Sequence, residues 1–153
     1  MYQLLSQVSG RAGRDKERGQ VLLQTYEPHN HILHSIINNN QKAFLSAELN
    51  DREISNTPPF SRIAIISILC KKESKLIEFT YEMSDVMPTL KNLIIFGPSP
   101  APISFLKGNY RYRFIIKAQK NINIQKMIKQ WLDHLTIPHS IKIKIDIDPY
   151  NFN

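Results

Sequence analysis

Residues 110–117 read YRYRFIIK, and this stretch decides the fold of the second part of the chain. Aromatic or aliphatic residues stand at every second position from Tyr110 to Ile116, while two arginines, Ile115 and a lysine stand between them. This period of two is that of a β-strand with one buried face. Residues 140–148, SIKIKIDID, repeat it with four isoleucines. The two stretches therefore predict strands that bury their apolar side and expose cations.

Four more elements surround these strands. Residues 62–69 are rich in isoleucine and predict a strand, residues 72–85 have the apolar spacing of an amphipathic helix, and residues 93–96 predict a short strand. Three prolines within 97–102 predict that strand pairing ends there. Asn121 is the expected N-cap of a helix that runs to about residue 135. The order strand, helix, strand, strand, helix, strand predicts a ferredoxin-like α+β domain, with an antiparallel sheet and both helices on one face.

The predicted alternation also assigns the two faces of the sheet. Tyr110 and Tyr112 turn toward the helices, which argues against a tyrosine platform for base stacking. The charge of +7 belongs to residues 56–153, with fourteen Lys and Arg against seven Asp and Glu, whereas residues 1–55 carry six of each. A basic surface of this kind is typical of proteins that bind phosphate backbones. The alternative explanation is that the excess of lysine reflects the overall composition of the chain and not a binding function, since isoleucine and asparagine are abundant too. The predicted DNA-binding residues are Arg111, Arg113, Lys117, Lys142 and Lys144.

The first part of the chain has a different pattern. Residues 20–26, QVLLQTY, predict a short buried strand, and residues 29–38 and 41–54 predict two helices. The run TPPF at 57–60 then breaks the helical pattern, because two prolines impose an extended backbone. We therefore expect two domains, residues 1–55 and 56–153.

The sequence argues against a metal site, an intramolecular disulfide and a membrane span. The histidines at 29, 31 and 34 have no cysteine close in sequence, and a zinc site needs more ligands in a defined geometry, so we expect no metal site. Cys70 is the only cysteine, which excludes an intramolecular disulfide and predicts a buried thiol. No apolar run reaches the roughly 18 residues of a membrane span. We expect a cytoplasmic protein without a membrane partner.

A motif near the start of the chain indicates nucleotide chemistry. Residues 7–14 read QVSGRAGR, in which two arginines three apart are flanked by glycines that allow a phosphate to approach. This resembles motif VI of the superfamily 2 helicases, Gln-x-x-Gly-Arg-x-Gly-Arg, and all five defined positions match. The resemblance implies a remnant of a RecA-like lobe over residues 1–55. By that resemblance Arg11 and Arg14 sense the γ-phosphate of ATP, supported by Gln7, Gly10 and Gly13.

Further motifs in order along the chain resemble the C-terminal end of the PriA family, the bacterial primosomal proteins N′. They are Gly19-x-Val21-x-Leu23-Gln24-Thr25, Phe44-x-x-x-Glu48-x-x-x-Arg52, Pro58-Pro59-Phe60, Gly97-Pro98-x-Pro100-Ala101, Tyr110-Arg111 and Asp146-x-Asp148-Pro149. One departure is Asn40-Gln41, where the family commonly has Asp-Tyr. The resemblance implies an ATP- and magnesium-dependent helicase that moves three-prime to five-prime. It also implies forked or single-stranded DNA, single-strand-binding protein and primosome proteins as partners.

The chain lacks the phosphate-binding Gly-x-x-x-x-Gly-Lys-Ser/Thr loop and the cysteine-rich zinc insertion of that family. We therefore expect it to bind no ATP, magnesium or zinc by itself and to be inactive as an ATPase alone. Three interpretations remain open. The chain works with a separate N-terminal helicase portion, or it is a stand-alone DNA-binding or docking module, or it is an inactive gene fragment.

Overall fold

The computed structural model describes residues 2–9, 21–38 and 40–150. Spatial contacts divide the chain into two compact units, Met1–Asp51 and Arg52–Asn153. Within the described ranges, every helix is too short or too polar to cross a membrane.

The described part of the first unit is helical. Its helices are α1 (Tyr2–Ser9), α2 (His31–Ile37) and α3 (Gln41–Ile54), the last of which ends in the second unit. The side chain of Asn30 caps α2 by accepting a hydrogen bond from the backbone N–H of Ile32 at 2.9 Å. The two predicted helices are therefore confirmed.

The strand predicted for residues 20–26 is wrong for the part that the structure describes. Residues 21–26 form no strand, and Leu22 and Tyr26 are almost fully exposed. A strand needs a neighbour to satisfy its backbone groups, and the described residues of this unit supply none. The assignment of residues 1–55 to a RecA-like lobe stays a prediction.

The second unit is an α+β domain built on one antiparallel sheet, with the strand order β2-β3-β1-β4. This is the predicted split βαβ arrangement. Its elements are β1 (Ser61–Cys70), α4 (Glu73–Asp85), β2 (Leu93–Leu106), β3 (Asn109–Gln119), α5 (Ile124–Asp133) and β4 (Lys142–Ile147).

One face of the sheet, the helix face, packs against α4 and α5. Trp131 of α5 is buried, meets the ring of Phe114 edge-on at 5.2 Å between centroids, and donates its indole N–H to the carbonyl of Met83 at 3.0 Å. Cys70 is buried in the same core, as predicted. The remaining buried core residues are Ala64, Ile66, Ile68, Leu76, Phe79, Ile116, Ala118, Ile124, Met127, Ile128 and Ile141.

Strand β2 corrects the expectation that pairing ends at Phe96. It runs on through the three prolines to Leu106, with register shifts between Phe96 and Ser99 and between Pro100 and Phe105. Proline is tolerated because β2 is an edge strand, where a missing backbone donor can face away from the sheet. A two-residue turn at Lys107 and Gly108, both with positive φ, joins β2 and β3 in a hairpin.

Two smaller expectations also change. The N-cap of α5 is Asn123 rather than Asn121, and its side chain accepts from the backbone N–H of Lys126 at 2.9 Å. The alternation predicts Ile145 in the core with its neighbours on β4, but 45% of its surface is exposed. It pairs with Ile66 and shares the helix face, yet it lies on the edge strand and outside the buried cluster.

Candidate nucleic-acid interface

The strand register gathers four cations on the face opposite the helices, called here the open face. Leu69 of β1 is paired with Arg111 on one side and Lys142 on the other, and Ser67 is paired in the same way with Arg113 and Lys144. Directly opposite residues of antiparallel strands project to the same face. Since Ile66, Ile68 and Phe114 occupy the helix face, these alternating residues lie on the open face. We call the four cations Arg111, Arg113, Lys142 and Lys144 the basic patch.

The sheet fixes the spacing of the basic patch. Two residues along one strand are separated by about 6.7 Å, and β4 and β3, with β1 between them, are about 10 Å apart. The patch is therefore two short columns of positive charge on either side of Ser67 and Leu69. A surface of this shape attracts an anionic chain that lies across the strands.

The four cations are held to different degrees. Lys142 and Lys144 are exposed, and within the described part of the chain neither ammonium makes a hydrogen bond or ion pair. Arg111 and Arg113 are half-buried, and Arg111 reaches the carbonyl of Ile103 through Nη1 at 3.5 Å. The guanidinium fork has five donors, so this one long hydrogen bond leaves Arg111 able to bind a phosphate.

Lys117, the fifth predicted cation, lies on the open face but apart from the basic patch. It is paired with Ile63 and is separated from Arg113 by Ile115. Its ammonium donates a hydrogen bond of 2.7 Å to the carbonyl of Ser55. Lys117 therefore holds the segment that leads into β1, and DNA binding by this residue stays a prediction.

A carboxylate marks the opposite end of the open face. Asp146 is paired with Ile65, one step beyond the basic patch along β4. Asp148 follows β4 with a positive φ and binds Arg62 through an ion pair of 2.7 Å. The hydrogen bond from Arg62 holds the pKa of Asp148 below its usual value. The open face thus has a basic end and an end where the carboxylate of Asp146 opposes phosphate. Asp148 lies beside Arg62, whose strand partner Ala118 is on the helix face.

Sequence reasoning missed two residues of this face. Phe96 is paired with Ile115 and Ile94 with Lys117, and the two apolar side chains are 54% and 52% exposed. Residues 93–96 are all apolar, so their alternation shows only in the structure, where Leu93 and Ile95 point inward and the residues at 94 and 96 point outward. The predicted inward orientation of Tyr110 and Tyr112 is confirmed, since both pack against the core.

Only the first three residues of the motif at 7–14 lie in the described part of the chain. Gln7 is exposed on α1, whereas Gly10, Arg11, Gly13 and Arg14 lie outside the described residues. The described residues therefore give no geometry for the binding of ATP or magnesium. In residues 2–9, 21–38 and 40–150, no group of three or more His, Cys, Asp or Glu is arranged to hold a metal.

Comparison with known proteins places the chain in a family. The family described as "Primosomal protein N C-terminal domain" matches residues 53–150. The "Replication restart protein PriA" of Rickettsia conorii is 40% identical over 151 residues, which cover 99% of this chain and 23% of that protein. The proteins of the same name from Synechocystis and Bacillus subtilis are 32% and 29% identical, and the matches cover 18% and 19% of their lengths. The chain thus spans about a fifth of the curated relatives it matches. It belongs to the PriA family, the primosomal proteins N, and residues 53–150 are its C-terminal domain.

Proposed function

We propose that the second unit binds DNA through the basic patch, within a PriA-type protein that acts in replication restart. The observation that carries the proposal is the gathering of Arg111, Arg113, Lys142 and Lys144 by strand pairing on one face. The buried core cluster lies on the other face, and Lys142 and Lys144 are exposed, so these two lysines have no packing role in that cluster. Phosphate contacts supply most of the affinity of such surfaces, and the proposed ligand is forked or single-stranded DNA.

The first part of the chain contributes to the same function in this proposal. Arg11 and Arg14 sense the γ-phosphate of ATP that a separate helicase portion binds with magnesium, so the ATPase requires both portions. The names of the relatives support this role in replication restart. Single-strand-binding protein and other primosome proteins are the proposed partners, and the cytoplasm is the proposed location.

A second function, a stand-alone DNA-binding module, is favoured by one observation. The second unit has its own core and sheet, so DNA binding requires nothing from the motif near the start of the chain. An experiment that mixes the chain with a PriA N-terminal helicase portion distinguishes the helicase role from the stand-alone module. DNA-stimulated ATP hydrolysis by the mixture supports the helicase role, and its absence with DNA binding retained supports the module.

The DNA-binding proposal is tested by fluorescence anisotropy with a labelled forked oligonucleotide at several salt concentrations. The patch variant carries glutamine at positions 111, 113, 142 and 144. The control variant loses four cations from the helices and the loop before α4, by Lys72→Gln, Lys75→Gln, Lys126→Gln and Lys129→Gln. Because both variants have the same net charge, a difference in DNA affinity between them reports where the cations lie and not how many there are.

We expect the patch variant to bind more weakly and to show a smaller salt dependence, with the slope reduced by about 0.7 to 0.9 for each phosphate that is no longer neutralised. The control variant should bind almost as the unmodified chain does. Equal affinities and slopes for the two variants would mean that binding follows net charge alone. Because Arg111 and Arg113 are half-buried, the double variant with only Lys142→Gln and Lys144→Gln keeps the test independent of folding.

The inactive gene fragment is the third interpretation. It predicts that the chain binds a forked oligonucleotide no better than an unrelated basic protein of similar charge, and that it adds no ATPase activity to a helicase portion. Both results together would remove the first two functions.

A further inference from the structure

We propose that the open face binds single-stranded DNA, with Phe96 stacking on an unpaired base while the basic patch holds the adjoining backbone. This inference rests on the proposed DNA-binding function and names the form of DNA that the surface accepts.

The position of Phe96 relative to the arginines carries the first step. Phe96 is directly opposite Ile115 on β3, and Arg113 is two residues from Ile115 on the same face. Such diagonal neighbours across two strands are about 7 to 8 Å apart, within reach of an aromatic ring and a long arginine side chain. A nucleotide whose phosphate lies at Arg113 therefore has its base in the neighbourhood of Phe96.

The exposure of Phe96 supports the second step. The ring is 54% exposed, although the helix face of the same strand offers a packed core to Leu93 and Ile95. Ile94, which is 52% exposed, and the half-buried Ile115 extend the same apolar area. An aromatic ring among aliphatic neighbours, beside forked cations, is the combination that single-strand-binding surfaces use for bases and phosphates.

The backbone conformation of Gly97, directly after Phe96, fixes the position of Phe96 relative to Arg113. Gly97 has a φ of +116°, and a Cβ at this position would lie 2.6 Å from the carbonyl oxygen of Arg113. Only glycine allows this close approach, which brings the end of the first part of β2 onto the strand that carries Arg113. Phe96 and Arg113 are thus held at a fixed separation on the sheet instead of on a mobile loop.

The form of DNA follows from the shape of the surface. In a duplex the faces of the bases are stacked on one another, so a ring standing on a sheet cannot reach a base face without extruding the nucleotide. An unpaired strand presents base faces directly. Stacking of this kind does not depend on the sequence, so we expect little preference among bases.

The experiment compares binding of the 153-residue chain to oligo(dT), to an abasic oligomer of equal length and to a duplex. Phe96→Ala should weaken oligo(dT) binding about tenfold and leave abasic binding unchanged, because stacking requires a base. Phe96→Tyr should restore most of the affinity. Phe105→Ala is the matched control, since Phe105 is also 54% exposed but is paired with Tyr110 and shares the helix-face side.

A second measurement does not depend on affinity. In a Phe96→Trp variant, stacking predicts quenching of the new indole fluorescence by oligo(dT) and not by the abasic oligomer, against the constant signal of buried Trp131. An equal effect of Phe96→Ala and Phe105→Ala on oligo(dT), with no base-dependent quenching, would overturn the inference.

The outcomes also separate this inference from the proposed function. If the patch variant loses DNA binding while Phe96→Ala does not, the basic patch stands and the stacking role is wrong. If the unmodified chain binds none of the three oligomers, both the proposed function and the stacking role are wrong.

Discussion

The two faces of the four-stranded sheet carry different kinds of residues. The helix face holds a continuous apolar core centred on Phe114, Ile66 and Trp131, whereas the open face carries the basic patch and half-exposed Phe96. Burial of a large apolar side chain contributes about 1.5 to 3 kcal/mol, so the fold depends mainly on the first face. The exposed Lys142 and Lys144 therefore contribute little to folding, and the placement of four cations on one face calls for a ligand.

Loss of the Trp131 side chain should have the largest effect. Trp131→Ala removes a buried ring and its hydrogen bond to Met83, and we expect the free energy of unfolding to fall by about 3 to 5 kcal/mol. Urea denaturation followed by circular dichroism measures the change. Tyr81→Ala on the exposed side of α4 is the control and should cost far less. Similar losses for the two variants would mean that the helix face is not the main source of stability.

A substitution of Gly97 should have an intermediate effect on the free energy of unfolding. Gly97→Ala places a Cβ against the carbonyl of Arg113 at a φ that other residues avoid, so we expect a loss of about 1 to 3 kcal/mol in stability. Gly108→Ala is the control, because its φ is also positive but no atom lies within 4 Å of the added Cβ. The ranking of the two variants in urea denaturation checks this prediction, and a larger loss at Gly108 would contradict it.

The ion pair at the end of β4 should have a small, pH-dependent effect. The pKa of Asp148 is lowered chiefly by the hydrogen bond from Arg62. The ionised carboxylate therefore stabilises the fold above its unfolded pKa of about 3.9, and this contribution is lost as pH falls through the lower folded pKa. Because the Asp148 side chain is 49% exposed, solvent screening keeps the effect small.

Melting temperatures of the unmodified chain and of Asp148→Asn, measured from neutral pH to about pH 3, test this ion pair. The difference between the two proteins should be largest near neutral pH and shrink on acidification. A difference that grows as the pH falls would contradict the assigned direction of the pKa.

Substitution of the exposed lysines should have the smallest effect on stability. Lys142→Gln combined with Lys144→Gln removes two of the four patch cations, and we expect a change of no more than about 0.5 kcal/mol in the free energy of unfolding. The same variant should bind DNA more weakly. A large loss of stability would show that the open face also holds the fold together.

The parts of the fold that were predicted share one property, namely a regular apolar period. The alternation in residues 110–117 and 140–148 identified two strands and the sides of the sheet, because side-chain direction in a strand follows from the period of two. The prediction for residues 97–102 was wrong because the cost of proline depends on whether a strand is at the edge, which the local sequence does not state. For residues 21–26, the described part of the strand predicted at 20–26, the prediction was wrong because an apolar run forms a strand only beside a neighbour, and the described residues of the first unit supply none.

The candidate site was also predicted only in part. The strand period brought Arg111 and Arg113 to one face, and the structure adds that Lys142 and Lys144 are their neighbours across β1. The separate position of Lys117 was not predictable, since its partner Ser55 is 62 residues away along the chain. Phe96 was not predicted, because the short run at 93–96 is apolar throughout and its alternation shows only once the inward residues are known.

The most direct test of the difference between the two faces is a methyl NMR titration of the isoleucine-labelled chain with oligo(dT). We expect the methyl signals of Ile94 and Ile115 on the open face to shift, while those of Ile66, Ile116 and Ile128 on the helix face stay in place. Shifts confined to the helix-face methyls would contradict the assignment of DNA binding to the open face.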